Sequence, residues 1–191
     1  MCDAICRSML WTLSNQLTVA RVALIPVIVV LFHLPWRFSG ALCAALFVVA
    51  SLTDWLDGYL ARSRQEATPF GRFLDPVADK LLVATVLVLL VGTQSVPALP
   101  AAIIIGREIA ISALREWLAE RAVTLQVSML GKAKTAMQMI AITALLLDLD
   151  IFGINTHEAG LVLLWAAAAL TIWSGYEYIK EAWQELMAPG A

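Results

Sequence analysis

Residues 54–80 read DWLDGYLARSRQEATPFGRFLDPVADK and place four aspartates, Asp54, Asp57, Asp75 and Asp79, between two almost wholly apolar stretches, 41–50 and 81–91. How this segment folds decides whether the carboxylates sit in a watery loop or along two helices. Spacing answers the question. Asp54 and Asp57 are followed by Gly58, Ala61 and Arg62, so that positions i, i+3, i+4, i+7 and i+8 share one helical face. Gly71, Asp75 and Asp79 step by four, which aligns them on a second helix. Two helices are therefore expected on either side of a turn near Thr68 and Pro69, each with two carboxylates and small residues beside them.

The rest of the chain sets the solvent for those helices. Of 191 residues, 61% are hydrophobic and 15% charged, and the mean hydropathy is +0.81, which is more apolar than a soluble domain of this length. The expected class is an all-α integral membrane protein. A bilayer-spanning helix needs about 20 mainly apolar residues, and six stretches qualify as transmembrane helices: 17–35, 39–62, 71–92, 98–120, 132–150 and 158–180. The breaks fall at Pro35, near Thr68 and Pro69, over 92–100, at Gly131 and at Gly153. Residues 1–191 read as a single membrane domain, with 1–15 as a retained interfacial segment. The net charge of -2 excludes a strongly basic nucleic-acid surface. Cys2, Cys6 and Cys43 have no metal-ligand spacing and suggest no disulfide framework.

Lys and Arg mark cytoplasmic connections. They concentrate in the second (Arg62, Arg64, Arg72) and the fourth (Arg115, Arg121, Lys132, Lys134), while the third, VGTQSVPALP, carries no charge. Both termini and the aspartates are thereby assigned to the cytoplasmic side, with Arg37 the one basic residue against the pattern. Trp11, Trp36, Trp117, Trp173, Tyr176 and Trp183 fall near the expected membrane edges as interfacial anchors.

Depth sharpens the reading of the aspartates. At a rise of about 1.5 Å per residue from Ser39 and Gly92, Asp54 lies roughly 22 Å in and Asp79 roughly 20 Å, with Asp57 at roughly 27 Å and Asp75 at roughly 26 Å. The antiparallel helices thus bring the four to two matching levels, just inside the cytoplasmic edge of a hydrocarbon core of about 30 Å. Four carboxylates there repel one another and resist burial. Mg²⁺ or Mn²⁺ relieves both problems, and two such ions on four carboxylates suit phosphoryl transfer. The alternative is that the aspartates cap helices and pair with Arg62, Arg64 and Arg72.

The same residues spell a pattern. Asp54-x2-Asp57-Gly58-x2-Ala61-Arg62-x8-Gly71-x3-Asp75-x3-Asp79 resembles the signature of the CDP-alcohol phosphotransferases, membrane enzymes that displace CMP from a CDP-linked alcohol with a second alcohol. SNQLTVAR, FGRFLDPVADK, GREIAISALREW and GKAKTAMQM extend the likeness to the bacterial phosphatidylglycerophosphate synthases within that family. Ser14 stands before Asn15 where the resemblance leads one to expect proline. The resemblance implies the CDP-alcohol phosphotransferase fold with six transmembrane helices, a homodimer in the bacterial inner membrane, and reaction of CDP-diacylglycerol with sn-glycerol 3-phosphate to give phosphatidylglycerol phosphate and CMP. It further implies that Asp54, Asp57, Asp75 and Asp79 bind two divalent cations, Mg²⁺ or Mn²⁺, with Asp79 also the general base. Asp54, Gly58, Ala61 and Arg62 would meet the CDP moiety, and Gly71 would allow close approach.

The acceptor must be read elsewhere. Glycerol 3-phosphate is a dianion and calls for Arg or Lys. Arg107 and Arg115 lie eight apart on the fourth helix, Lys132 and Lys134 open the fifth, and Arg21 on the first is a further candidate. Against this stands a pairing of Arg107 with Glu108, the other cations serving only topology. Serine, an inositol phosphate or phosphatidylglycerol is the alternative acceptor, and a cation transporter the alternative class. His33 and His157 fall toward the outer side and are not placed for covalent catalysis.

Overall fold

The computed structural model describes the backbone of residues 13–64, 69–121, 129–151 and 154–187, with side chains for 16–53, 74–119, 121, 133–150, 155–184 and 187. Its helices are α1 (Leu13–His33), α2 (Ser39–Arg64), α3 (Pro69–Gly92), α4 (Ala98–Glu120), α5 (Met129–Leu147) and α6 (Thr156–Met187). They fall on the six apolar stretches expected, and α2 and α3 begin and end where the depth count assumed, at Ser39 and Gly92. Proline punctuates them at starts, where its missing N–H costs nothing: Pro69 opens α3, and Pro97, at φ -60°, precedes α4. Pro26 and Pro76 lie inside α1 and α3, each removing one rung of the helical ladder.

Several boundaries differ from expectation. α1 begins at Leu13 rather than at residue 17, so Ser14 is helical; the part of the interfacial segment over 1–12, with Cys2, Cys6 and Trp11, lies outside the described residues. Gly131 does not break the chain but sits within α5, because a single glycine costs a helix only about 1 kcal/mol. α5 then ends at Leu147 instead of 150, because Asp148 takes a left-handed φ of 41° that no helix continues.

The connection that follows holds the other departure from all-α. Asp150–Ile151 (β1) pairs antiparallel with Ile154–Asn155 (β2), a two-residue ribbon too short to register as strand periodicity; Gly153, an expected break, lies outside the described residues. Asn155 then caps α6: its Oδ1 accepts from the N–H groups of His157 at 2.9 Å and Glu158 at 3.2 Å. α6 continues to Met187, past the predicted 180. Charged residues stop the apolar run there, but Tyr178 and Ala182 keep a buried face toward Ile111, Leu114 and Leu118 of α4.

The chain divides into two compact units, Met1–Leu89 with Leu146–Asp148, and Leu90–Leu145 with Leu149–Ala191. In the first, α1 packs on α2, burying Ile28 against a face that includes Cys43, Ala44, Phe47 and Ala50. Gly40 admits the end of α5, since a Cβ there would stand 2.5 Å from the carbonyl oxygen of Leu146. In the second, α4 packs on α6.

Among the described residues, two helices are long and apolar enough to cross a membrane, Gln16–His33 in α1 and Thr156–Gln184 in α6. Ser39–Thr53 and Ala133–Leu147 are shorter apolar helical stretches. α6 exposes Val162, Trp165, Ile172, Tyr176, Ile179 and Trp183 along one stripe at intervals of three, four and seven residues.

Candidate active site

In the first unit, one face of α1 reaches both carboxylate helices. Thr18 is fully buried and donates its hydroxyl proton to Asp75 Oδ1 on α3. One turn on, Arg21 is 2% exposed and its Nε donates to the Ala50 carbonyl of α2 at 3.3 Å, four residues before Asp54. Thr18 and Arg21 are three apart, which is why a single helix can serve two neighbours from one face. Arg21, expected as a phosphate ligand, thus lies in the unit that carries the aspartates.

Asp75 and Asp79 are half-buried and stand one turn apart on α3. A carboxylate offers about four lone-pair sites, and Thr18 uses one on Asp75. Carboxylate oxygens are hard donors of the kind that suit a divalent cation such as Mg²⁺ or Mn²⁺. The described residues alone make no cluster of three metal-binding side chains. Asp54, Asp57, Gly58, Ala61 and Arg62 fall on α2 and Gly71 on α3, and their side chains lie outside the described residues. His33 ends α1, about 22 Å along the helix from Thr18, with its Nδ1 beside the Val29 carbonyl at 2.8 Å.

In the second unit, the basic residues meet a carboxylate. Glu108 Oε1 accepts from Lys134 Nζ on α5, and Arg107 Nη1 lies 3.8 Å from the same oxygen. Lys134 is 2% exposed, so burial would be costly without that partner. Arg107 Nη2 donates to Ser174 Oγ on α6 at 3.1 Å. Arg115 is exposed and lies over the Tyr178 ring, 5.7 Å from its centroid, a cation–π contact. Lys132 is on α5, with its side chain outside the described residues. The Arg107–Glu108 pairing weighed from the sequence is thus present, and Glu108 holds Lys134 as well.

Sequence reasoning missed Thr18, the Lys134 link of Glu108, Ser174 and Gly175. Thr18 was within SNQLTVAR, but a lone hydroxyl in an apolar helix carries no signal of its own. Glu108 had a signal: an acid inside an apolar stretch needs a buried cation, and Lys134 is the one it finds.

Residues 11–173 match the family model described as CDP-alcohol phosphatidyltransferase. The chain belongs to this family of transferases. Among curated proteins it is similar to one from Yersinia enterocolitica, 48% identical over 91% of this chain and 96% of the relative, and to one from Pseudomonas fluorescens, 47% identical over 92% of each. A third, from Pectobacterium atrosepticum, is 46% identical over 95% of this chain and 100% of the relative. All three bear the name CDP-diacylglycerol–glycerol-3-phosphate 3-phosphatidyltransferase.

Proposed function

We propose that the chain transfers the phosphatidyl group of CDP-diacylglycerol to sn-glycerol 3-phosphate, giving phosphatidylglycerol phosphate and CMP. The observation that carries this is the identity of 46% to 48% with relatives named for that reaction over nearly the whole chain. The chain acts as one domain in the bacterial inner membrane, crossing six times with both termini inside. Exposed apolar stripes such as that of α6 support the membrane setting, since a water-soluble surface of this kind would aggregate.

The acceptor's hydroxyl attacks the phosphorus attached to diacylglycerol, and CMP departs with the bond it loses. Asp79 takes the hydroxyl proton as general base. Asp54, Asp57, Asp75 and Asp79 would hold two divalent cations, which would supply neutralisation of the charge that builds up in phosphoryl transfer. Thr18 fixes the rotamer of Asp75. Gly58, Ala61 and Arg62 meet the CDP moiety, with Gly71 leaving room for it. Arg107, Arg115, Lys132 and Lys134 recognise the acceptor phosphate, and Glu108 keeps two of these cations in register. Arg21, hydrogen-bonded to α2, orders the helix that carries Asp54 and Asp57.

Purified protein given labelled CDP-diacylglycerol, a divalent cation and one acceptor at a time tests this. Label should pass to glycerol 3-phosphate with release of CMP. Product with serine and none with glycerol 3-phosphate would overturn the acceptor, and cation flux into proteoliposomes without CMP release would overturn the class.

A further inference from the structure

α6 meets Arg107 in two ways. Ser174 is 5% exposed; its hydroxyl donates to the Thr171 carbonyl at 3.3 Å, so a lone pair is turned to the Arg107 Nη2 proton at 3.1 Å. The next residue, Gly175, is buried and supplies bare backbone under the arginine stem. A Cβ there would stand 3.3 Å from Arg107 Cγ and 3.5 Å from its Nε. Elsewhere the guanidinium is loosely held: Nη1 is 3.8 Å from Glu108, and the buried Nε has no hydrogen-bond partner among the described residues. The angle of its plane therefore depends on α6. Ser174 and Gly175 lie just beyond residue 173, where the match to the family model ends.

We infer that Ser174 and Gly175 are positioning residues that set the Arg107 guanidinium for the acceptor phosphate. The inference rests on the reading of Arg107 as a ligand of that phosphate. A guanidinium recognises phosphate through directed N–H donors, so a tilt of its plane costs acceptor affinity while leaving the lipid substrate untouched. Gly175→Ala pushes the stem, and Ser174→Ala releases Nη2.

The test is a double-mutant cycle on the purified full chain in detergent, with KM for each substrate, kcat and the thermal midpoint measured. Arg107→Ala should raise KM for glycerol 3-phosphate by about 10- to 100-fold, and Ser174→Ala by about tenfold, with KM for CDP-diacylglycerol and the midpoint little changed. In the Arg107→Ala background, Ser174→Ala should add nothing, because its effect passes through the missing side chain. Gly175→Ala should follow Ser174→Ala; if that variant does not fold, the serine cycle decides alone. An undiminished Ser174→Ala effect without Arg107, or no effect with it, overturns the inference and leaves the proposed reaction standing. An unchanged KM in Arg107→Ala overturns the ligand reading beneath it, and the inference with it.

Discussion

Thr18 shows how much one hydroxyl does in an apolar helix. By donating to Asp75, 57 residues away in sequence, it fixes one carboxylate of the stripe before any ligand arrives. Groups that orient a metal ligand from behind are worth about 10- to 100-fold in metal affinity or activity. Thr18→Val should therefore raise the Mg²⁺ concentration for half-maximal turnover by about tenfold or more, read by titrating metal against CMP release. An unchanged metal requirement would leave the hydroxyl a packing device. Asp79→Asn keeps the size of the side chain but removes the proposed base. It should lower kcat by about 10²- to 10⁴-fold while CDP-diacylglycerol still binds, as measured by equilibrium binding to detergent-solubilised protein. The shared helix of Asp75 and Asp79 was legible because a step of four is helical spacing in itself. Thr18 and Ser174 were not, since each acquires a role only when a distant helix supplies its partner.

Among the helices, the sequence located the six apolar runs, and the structure moved their ends. Periodicity and length report a helix middle well, whereas ends depend on single dihedrals such as that of Asp148 or on caps such as Asn155. The extension of α6 to Met187 shows the limit of an apolar-length criterion: it stops at the first charges, although Tyr178 and Ala182 still pack on α4. Small residues at helix contacts are equally silent until the neighbour is seen. Gly40→Ala should destabilise the protein by about 1 to 3 kcal/mol, since the added Cβ meets a backbone carbonyl that has no rotamer to change. A thermal midpoint in detergent equal to that of the unaltered chain would mean that α2 shifts to accept the methyl. Gly160 is a second close approach, where a Cβ would stand 2.8 Å from Leu145 Cγ and 3.2 Å from the Ala141 carbonyl oxygen.

For the molecule as a whole, the proposed six-span topology makes opposite assignments for successive connections. Thr93, exposed in the turn between α3 and α4, is assigned by that proposal to the outer side. A Thr93→Cys variant should react with a membrane-impermeant maleimide in intact cells, whereas Cys43, buried between α1 and α2 with its thiol toward the Ile28 carbonyl, should stay silent until the protein is denatured. Labelling of Thr93→Cys only after the cells are opened would invert the orientation. The charge pattern of the connections made this prediction available from sequence. The contact of Leu146 with Gly40 inside the first unit was not available, because no local pattern announces it. Gly40 and Leu146 are separated by more than half the chain, yet the second closes on the first. At a synthesis rate of about 5 to 20 residues per second, the α1–α2 hairpin waits about 5 to 20 s with that notch uncovered before the end of α5 is made. The first hairpin must therefore hold its shape with that notch open, and the order of translation, as much as the final packing, constrains which residues α2 can present there.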